Sequence, residues 1–270
     1  MGDDRLMEGN EFRTCQISPA LAGAVRELWI LSDDGSFHAG LPKPYVELVI
    51  SLSGVHWWCS APGVREHRYS VGWVTPVQRG PRFARANGRR ILIGARLEPW
   101  TARALFGPLP PGDGSPPPHL NLLIGDTAER LRRWLIDAAD DDQRFARLGI
   151  WLEQQLMLCG GAGDPITGFD CTSVADLARS LHTTPRSLRR RFAIEAGLSP
   201  KTWLKLHRLD GVLRDAGLSD ARQSLATIAT AHGYADQAHL SREMVSFTGA
   251  TPGQLRRRPL QSPPHLLAQN

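Results

Sequence analysis

Residues 224–252 read SLATIATAHGYADQAHLSREMVSFTGATP. Leu225, Ile228 and Ala229 fall on one face of a short helix, and Gly233 suits the left-handed cap that ends it before the turn Gly233-Tyr234-Ala235. Asp236 then stands where a carboxylate meets the free N–H groups of a new helix. That helix spans residues 237–247 and turns Leu240, Met244 and Phe247 inward, which leaves Gln237, Ala238, His239 and Arg242 on its outward side. A short helix, a tight turn and a second helix with a narrow polar face make a helix-turn-helix unit, the second helix being shaped to enter a DNA major groove.

The same pattern occurs once more upstream. Ser173 suits an N-cap, and Val174, Leu177, Ala178 and Leu181 form one face of a short helix. After the break His182-Thr183-Thr184, Thr184 caps a second helix with Pro185 at its first position, where a missing N–H costs nothing. Leu188 and Phe192 point inward, Arg186, Arg189 and Arg190 point outward, and Gly197 marks the stop. An arginine face alone reads equally well as a solvated basic surface. Its recurrence beside a second unit favours a polyanion, since arginine can donate two hydrogen bonds to guanine or pair with phosphate. Residues 199–216 read as one connecting helix, which at a rise of about 1.5 Å per residue could hold the two units one duplex turn, roughly 34 Å, apart.

These stretches resemble the AraC/XylS family of bacterial transcription regulators. The resemblance rests on Asp176-Leu177-Ala178, residues 185–192, Gly197-Leu198-Ser199-Pro200, Arg208-Leu209, and above all Ile228-Ala229, residues 233–242 and Thr248-Gly249-Ala250-Thr251-Pro252. It covers about residues 172–258. It implies groove contacts from Arg186, Arg189 and Arg190 in the first unit, and from Gln237, Ala238, His239 and Arg242 in the second. Glutamine suits adenine, arginine suits guanine and alanine suits a thymine methyl. The implied partner is double-stranded DNA. Two positions depart from the family pattern: Met244 replaces an aromatic, and Gly211 weakens the connecting helix by roughly 1 kcal/mol relative to alanine.

The amino-terminal portion, residues 1 to about 100, reads mainly as strands and turns. Residues 45–52 are rich in β-branched side chains, and residues 55–59, 70–74 and 91–97 read as further short strands. Several short strands predict a small barrel or sandwich. A proline-rich loop follows at 107–118, then helices at 126–138, with Leu131, Trp134 and Leu135 on one face, and at 145–158, with Leu148, Trp151, Leu152 and Leu156. The second stripe reads first as core and second as a dimer seam. Residues 44–50, 89–99 and 104–107 are similar to the sensory domains attached to many members of the family, which implies a cupin-like or truncated-barrel effector domain with dimerising helices.

The resulting fold class is α+β: a small amino-terminal β-barrel or cupin-like domain with helices, and an all-α double helix-turn-helix domain. The expected layout is an effector-sensing and dimerisation domain at 1–159, a linker at 160–165, a DNA-binding domain at 166–258 and a disordered tail at 259–270. Charge follows this division, with 14 Arg or Lys against 8 Asp or Glu in residues 165–258 of a chain whose formal net charge is +5. All but three of the 32 basic residues are arginine, a skew that also follows from genome composition.

Composition and motifs exclude several other classes. With 41% hydrophobic and 22% charged residues the chain reads as globular. It has no apolar run of the roughly 18 residues that a membrane span needs, and no signal peptide at its first residues, so a cytoplasmic protein without a membrane partner is expected. Cys15, Cys59, Cys159 and Cys171 lie far apart and read as free thiols. His38, His56, Cys59 and His67 match no metal-ligand spacing, and neither a phosphate loop nor a nucleophile elbow occurs. No metal or cofactor is therefore expected. Trp57, Trp58, Trp73 and Trp100 read first as core and second as the wall of an effector pocket for a small molecule. The leading function is a DNA-binding regulator. The alternative is a cupin-like metalloenzyme with an accessory helical domain.

Overall fold

The computed structural model describes residues 11–161, 171, 173–215, 218, 220, 222–257, 260–261 and 266–268. The amino-terminal part is built from two antiparallel sheets. In the first, β1 (Glu11–Cys15), β2 (Val25–Asp33), β9 (Arg90–Leu97), β4 (Val46–Ser53) and β7 (Gly72–Thr75) lie side by side in that order. The second contains β3 (His38–Gly40), β8 (Arg82–Ala86), β5 (His56–Cys59) and β6 (His67–Tyr69). The expected barrel is thus two facing sheets, not one closed ladder.

Side chains alternate across the first sheet, as the pleat requires. Trp29, Leu31, Val49, Trp73 and Leu92 join Trp58 and Tyr69 of the second sheet in an inner cluster. Leu28, Ile30, Leu48, Ile50 and Ile93 face the other way, in one core with Leu131, Leu135, Leu148, Trp151 and Leu152. Those leucines and Trp151 come from α3 (Thr127–Ile136) and α4 (Asp141–Leu158), which follow α1 (Pro99–Phe106) and α2 (Leu120–Ile124). Trp134, expected on the buried face of α3, is instead 39% exposed and lies beneath Arg147. Gly94 permits the crowding at the sheet centre: a Cβ there would lie 2.4 Å from the Trp29 ring.

The helical half follows the sequence closely. Ser173 Oγ accepts from Asp176 N to open α5 (Val174–Ser180), Thr184 Oγ1 accepts from Ser187 N to open α6 (Pro185–Glu195), and Ser199 caps α7 (Pro200–Arg214). Ser224 caps α8 (Leu225–Ala231), and Asp236 caps α9 (Gln237–Thr248), which ends on left-handed Gly249 before α10 (Pro252–Arg257). The connecting helix α7 has 15 residues and so is about 22 Å long, shorter than the stretch 199–216 suggested.

Two expectations about domain boundaries change. Of the linker at 160–165, Gly160 and Gly161 have φ of 79° and 103°, and residues 162–165 lie outside the described residues. The halves it joins share one hydrophobic core, in which fully buried Trp203 of α7 packs 6.1 Å from Trp100 of α1 and 5.3 Å from Phe192 of α6. Within the expected tail, β10 (Leu260–Gln261) pairs antiparallel with β11 (Leu266–Ala268), and β11 pairs with β3, extending the second sheet; the rest of 259–270 lies outside the described residues. An edge strand with unpaired N–H and C=O groups is a ready template for such pairing, and local composition does not register it.

Gly211 also acquires a reason. A Cβ at this position would lie 2.9 Å from His232 Nδ1, and the His232 ring is held by Asp215 Oδ2 at 2.8 Å from its Nε2. Helix propensity predicts that Gly211→Ala stabilises, whereas this contact predicts the opposite sign. A net destabilisation of about 1–2 kcal/mol is expected in urea unfolding, because overpacking outweighs the gain in propensity.

Candidate nucleic-acid interface

Each unit is a pair of helices docked on α7. In α6, Leu188 and Phe192 are buried, and Arg186, Arg189 and Arg190 are exposed. In α9, Leu240, Met244 and Phe247 are buried, while Gln237, Ala238 and Arg242 are exposed. His239 is half-buried, its ring edge-on to Tyr234 at 5.2 Å and its Nδ1 3.4 Å from the Ala235 N–H that it accepts. Using Nδ1 as acceptor leaves Nε2–H as the donor.

The pairing of the basic residues separates two groups. Arg179 pairs with Asp176, Arg191 with Glu195, Arg214 with Asp210 and Arg222 with Asp220. Lys205 and Arg208 flank the buried carboxylate of Glu243 at 2.9 and 3.5 Å and so fasten α9 to α7. Arg256 donates to the carbonyls of Leu218 and Gln223. Among the described residues, Arg186, Arg189, Arg190 and Arg242 have no such acceptor, nor have Lys201 and Arg257. The guanidinium groups left unpaired thus include all those on the outward sides of the two second helices. Sequence reasoning missed Lys201, which stands at the start of α7 where a solvated lysine gives no motif.

Residues 177–258 match the family described as a helix-turn-helix domain. The carboxyl-terminal part is a helix-turn-helix domain of the AraC/XylS type. Among solved structures the chain is similar to unsaturated fatty acid bound wild-type ToxT from Vibrio cholerae, at 10% identity and a TM-score of 0.45 over 88% of this chain and 95% of that one. A further ToxT structure from the same organism gives 10% identity and a TM-score of 0.44 over 91% and 98%. Ectoine synthase from P. lautus is similar at 15% identity, with a TM-score of 0.26 over 33% of this chain and 64% of that one. No curated protein matches the chain.

The half preceding the AraC/XylS-type domain holds a cavity of about 90 Å³ between its sheets. Trp58 and Trp73 line it, as does Trp29. Trp57 and Trp100 do not. Trp57 alternates to the opposite side of β5, under Arg85 at 4.7 Å, and Trp100 sits at the junction with Trp203. Two of the four side chains whose spacing matches no metal-ligand motif, His38 and His56, face a buried guanidinium. Arg90 donates from Nε and Nη2 to the two carboxylate oxygens of Asp33, each at 2.7 Å, and its guanidinium lies 2.7 Å from His56 Nδ1 and 3.1 Å from His38 Nδ1. A permanently charged guanidinium therefore stands between the two imidazoles. Burial, and then the charge of Arg90, pull the His38 pKa down to about 4 and that of His56 well below its usual value. Both rings are neutral, and that of His56 stacks on Trp73 at 4.4 Å.

A second set of buried charges leads from the cavity to the AraC/XylS-type domain. Lys43 Nζ lies 2.6 Å from Glu47, and Arg96 Nε lies 3.2 Å from the same carboxylate. Burial opposes ionisation of Glu47, yet Lys43 and Arg96 outweigh it and hold the carboxyl down to about 2. Arg96 also pairs with Glu27, and Glu27 lies 3.6 Å from Arg214 of α7, which in turn pairs with Asp210 at 3.1 Å. Tyr45 and His207 meet edge to face at 5.4 Å across the same junction. No motif announces these pairs, because their partners are far apart in the chain. Among the described residues, no helix is long and apolar enough to cross a membrane.

Proposed function

We propose that this chain is a sequence-specific, double-stranded-DNA-binding transcription regulator, with α6 and α9 entering successive major-groove segments. Arg186, Arg189 and Arg190 meet the DNA from the first unit, and Gln237, Ala238, His239 and Arg242 from the second. Residues 166–258 form the DNA-binding part and residues 1–159 the sensing part, which takes a small-molecule effector between its sheets and provides the surface for a homodimer. The protein regulates in the cytoplasm and does not catalyse. The observation that carries this reading is the placement of exposed arginines: Arg186, Arg189, Arg190 and Arg242 all stand on the outward sides of the two second helices with no acceptor among the described residues, whereas Arg179, Arg191, Arg214 and Arg222 nearby are paired with acids. Uncompensated cations placed on two narrow helix sides suit a polyanion with a groove. The buried charges from Glu47 to Arg214 support a response of the DNA-binding part to the cavity.

Selection of bound fragments from genomic DNA with the purified full chain tests the proposal. A common site should emerge, and its affinity should fall with salt at a slope of about −4 to −5 in log K against log concentration, as expected for four to six phosphates neutralised. Recovery of random sequence with the same affinity as any enriched site would reject sequence-specific recognition.

A further inference from the structure

We propose that the cavity between the sheets takes a small organic monoanion, a carboxylate on a short apolar body, with Arg82 as its counter-ion. This rests on the effector reading above and names the chemistry of the ligand. Four cations line the space: Lys43, Arg82, Arg90 and Arg96. Three carboxylates meet them, Asp33 on Arg90, Glu47 on Lys43 and Arg96, and Glu27 on Arg96. One positive charge is left over. It belongs to Arg82 of β8, which is 7% exposed and whose Nε has no hydrogen-bond acceptor among the described residues. The guanidinium lies 5.2 Å from the ring centre of Trp58, so its stacking is satisfied but its Nε–H is not. Asp113, the carboxylate whose field reaches it, is exposed and accepts instead from Ser115 N and Oγ.

The other buried polar atoms without partners in this lining are also donors. Trp29 and Trp58 each present an indole N–H with no acceptor. Three unsatisfied N–H donors with no unsatisfied acceptor among them are complementary to a group that only accepts. A carboxylate is such a group, whereas an alcohol or a sugar brings donors of its own that these three groups cannot accept. Buried donors are ordinarily paired, and a buried guanidinium is ordinarily met by an anion, so an anionic ligand would complete this set. Trp73, Leu31, Val49 and Leu92 supply apolar walls, which favour a hydrocarbon body over a bare inorganic ion. At about 90 Å³ the space is smaller than the 150 Å³ cavity that admits the six carbons of benzene, which limits the occupant to about four or five non-hydrogen atoms. Propionate is within that limit.

The test uses the full chain and sodium propionate, read by tryptophan emission and by calorimetry. Saturable binding is expected, with propionamide and n-propanol each at least about tenfold weaker, since a charge-assisted bond has about twice the strength of a neutral one, and with inorganic phosphate weaker because it has no apolar body for the walls. Arg82→Met should lose propionate binding by about tenfold or more. In the absence of ligand it should unfold at the same or a higher urea concentration than the parent, because an unpaired buried cation has been removed. Failure of propionate to bind, equal binding of propionamide, or undiminished binding to Arg82→Met would each overturn the proposal. A lowered urea midpoint for ligand-free Arg82→Met would also overturn it, by showing that Arg82 is already satisfied within the fold. These measurements need no DNA, so their failure is distinct from a failure of the protein to recognise a site.

Discussion

Replacing Arg189 and Arg242 by alanine together is expected to weaken binding to the selected site by about a hundredfold to ten-thousandfold, with little change in binding to random duplex of the same length. Each residue is exposed on its helix and has no acceptor among the described residues, so truncation removes no contact that the fold depends on. A bidentate arginine–guanine contact contributes about 1–3 kcal/mol of discrimination, and sites on separate helices add when they share no partner. The single variants should therefore each lose about tenfold to a hundredfold. Arg191→Ala provides the contrast. Its side chain pairs with Glu195 and is half-buried, so it should leave discrimination nearly unchanged. Anisotropy titrations at one fixed salt concentration, with circular dichroism to confirm helicity, decide the matter. Equal discrimination by the double variant and the parent would show that these faces do not read sequence.

The second large effect is on stability against pH, where a maximum near pH 7 is expected. Burial keeps the imidazoles of His38, His56 and His207 neutral, with the His38 pKa down to about 4, that of His207 down to about 3 and that of His56 well below its usual value of 6.5. The unfolded chain takes up these protons as pH falls through 6.5 and the folded protein does not, so stability present above 6.5 is lost below it. Glu98 acts in the opposite sense. Burial raises its pKa to about 8, so it is protonated in the folded protein and ionised in the unfolded chain between 4.5 and 8. Its contribution is complete below pH 4.5 and disappears as pH rises through 8. Between about pH 6 and 4.5 the net difference is about two protons, or about 3 kcal/mol of stability lost per pH unit. Above pH 7 the remaining slope is about 1 kcal/mol per unit in the other direction, from Glu98 alone. Urea midpoints at pH 5, 6, 7 and 8 measure both limbs. A midpoint that does not move between pH 7 and pH 5 would mean that the three imidazoles are not neutral and enclosed as described.

What the sequence by itself determined is the carboxyl-terminal part. Ser173, Thr184, Ser199, Ser224 and Asp236 cap their helices within three residues of where they stand, and the apolar stripes of α6 and α9 follow from a 3.6-residue repeat. These are local interactions, and they fix which side of each helix remains free. The amino-terminal part was only half legible because its strands do not look like strands in isolation. β2 carries Glu27 and Asp33 on a strand otherwise mostly buried, and β8 carries Arg82 and Arg85. Such residues read as loop or surface until Arg96 and Arg90, more than fifty residues away, arrive to pair with the two acids.

The tertiary structure alone decided the site between the sheets. It selected Trp58 and Trp73 over Trp57 and Trp100, added Trp29, placed Arg90 between two histidines, left Arg82 without an acceptor, and made Gly211 necessary through His232. The physical reason is one of range. A cap or a helical stripe is settled by neighbours within a few positions, whereas a buried charge is stabilised or stranded by whichever distant strand brings its partner.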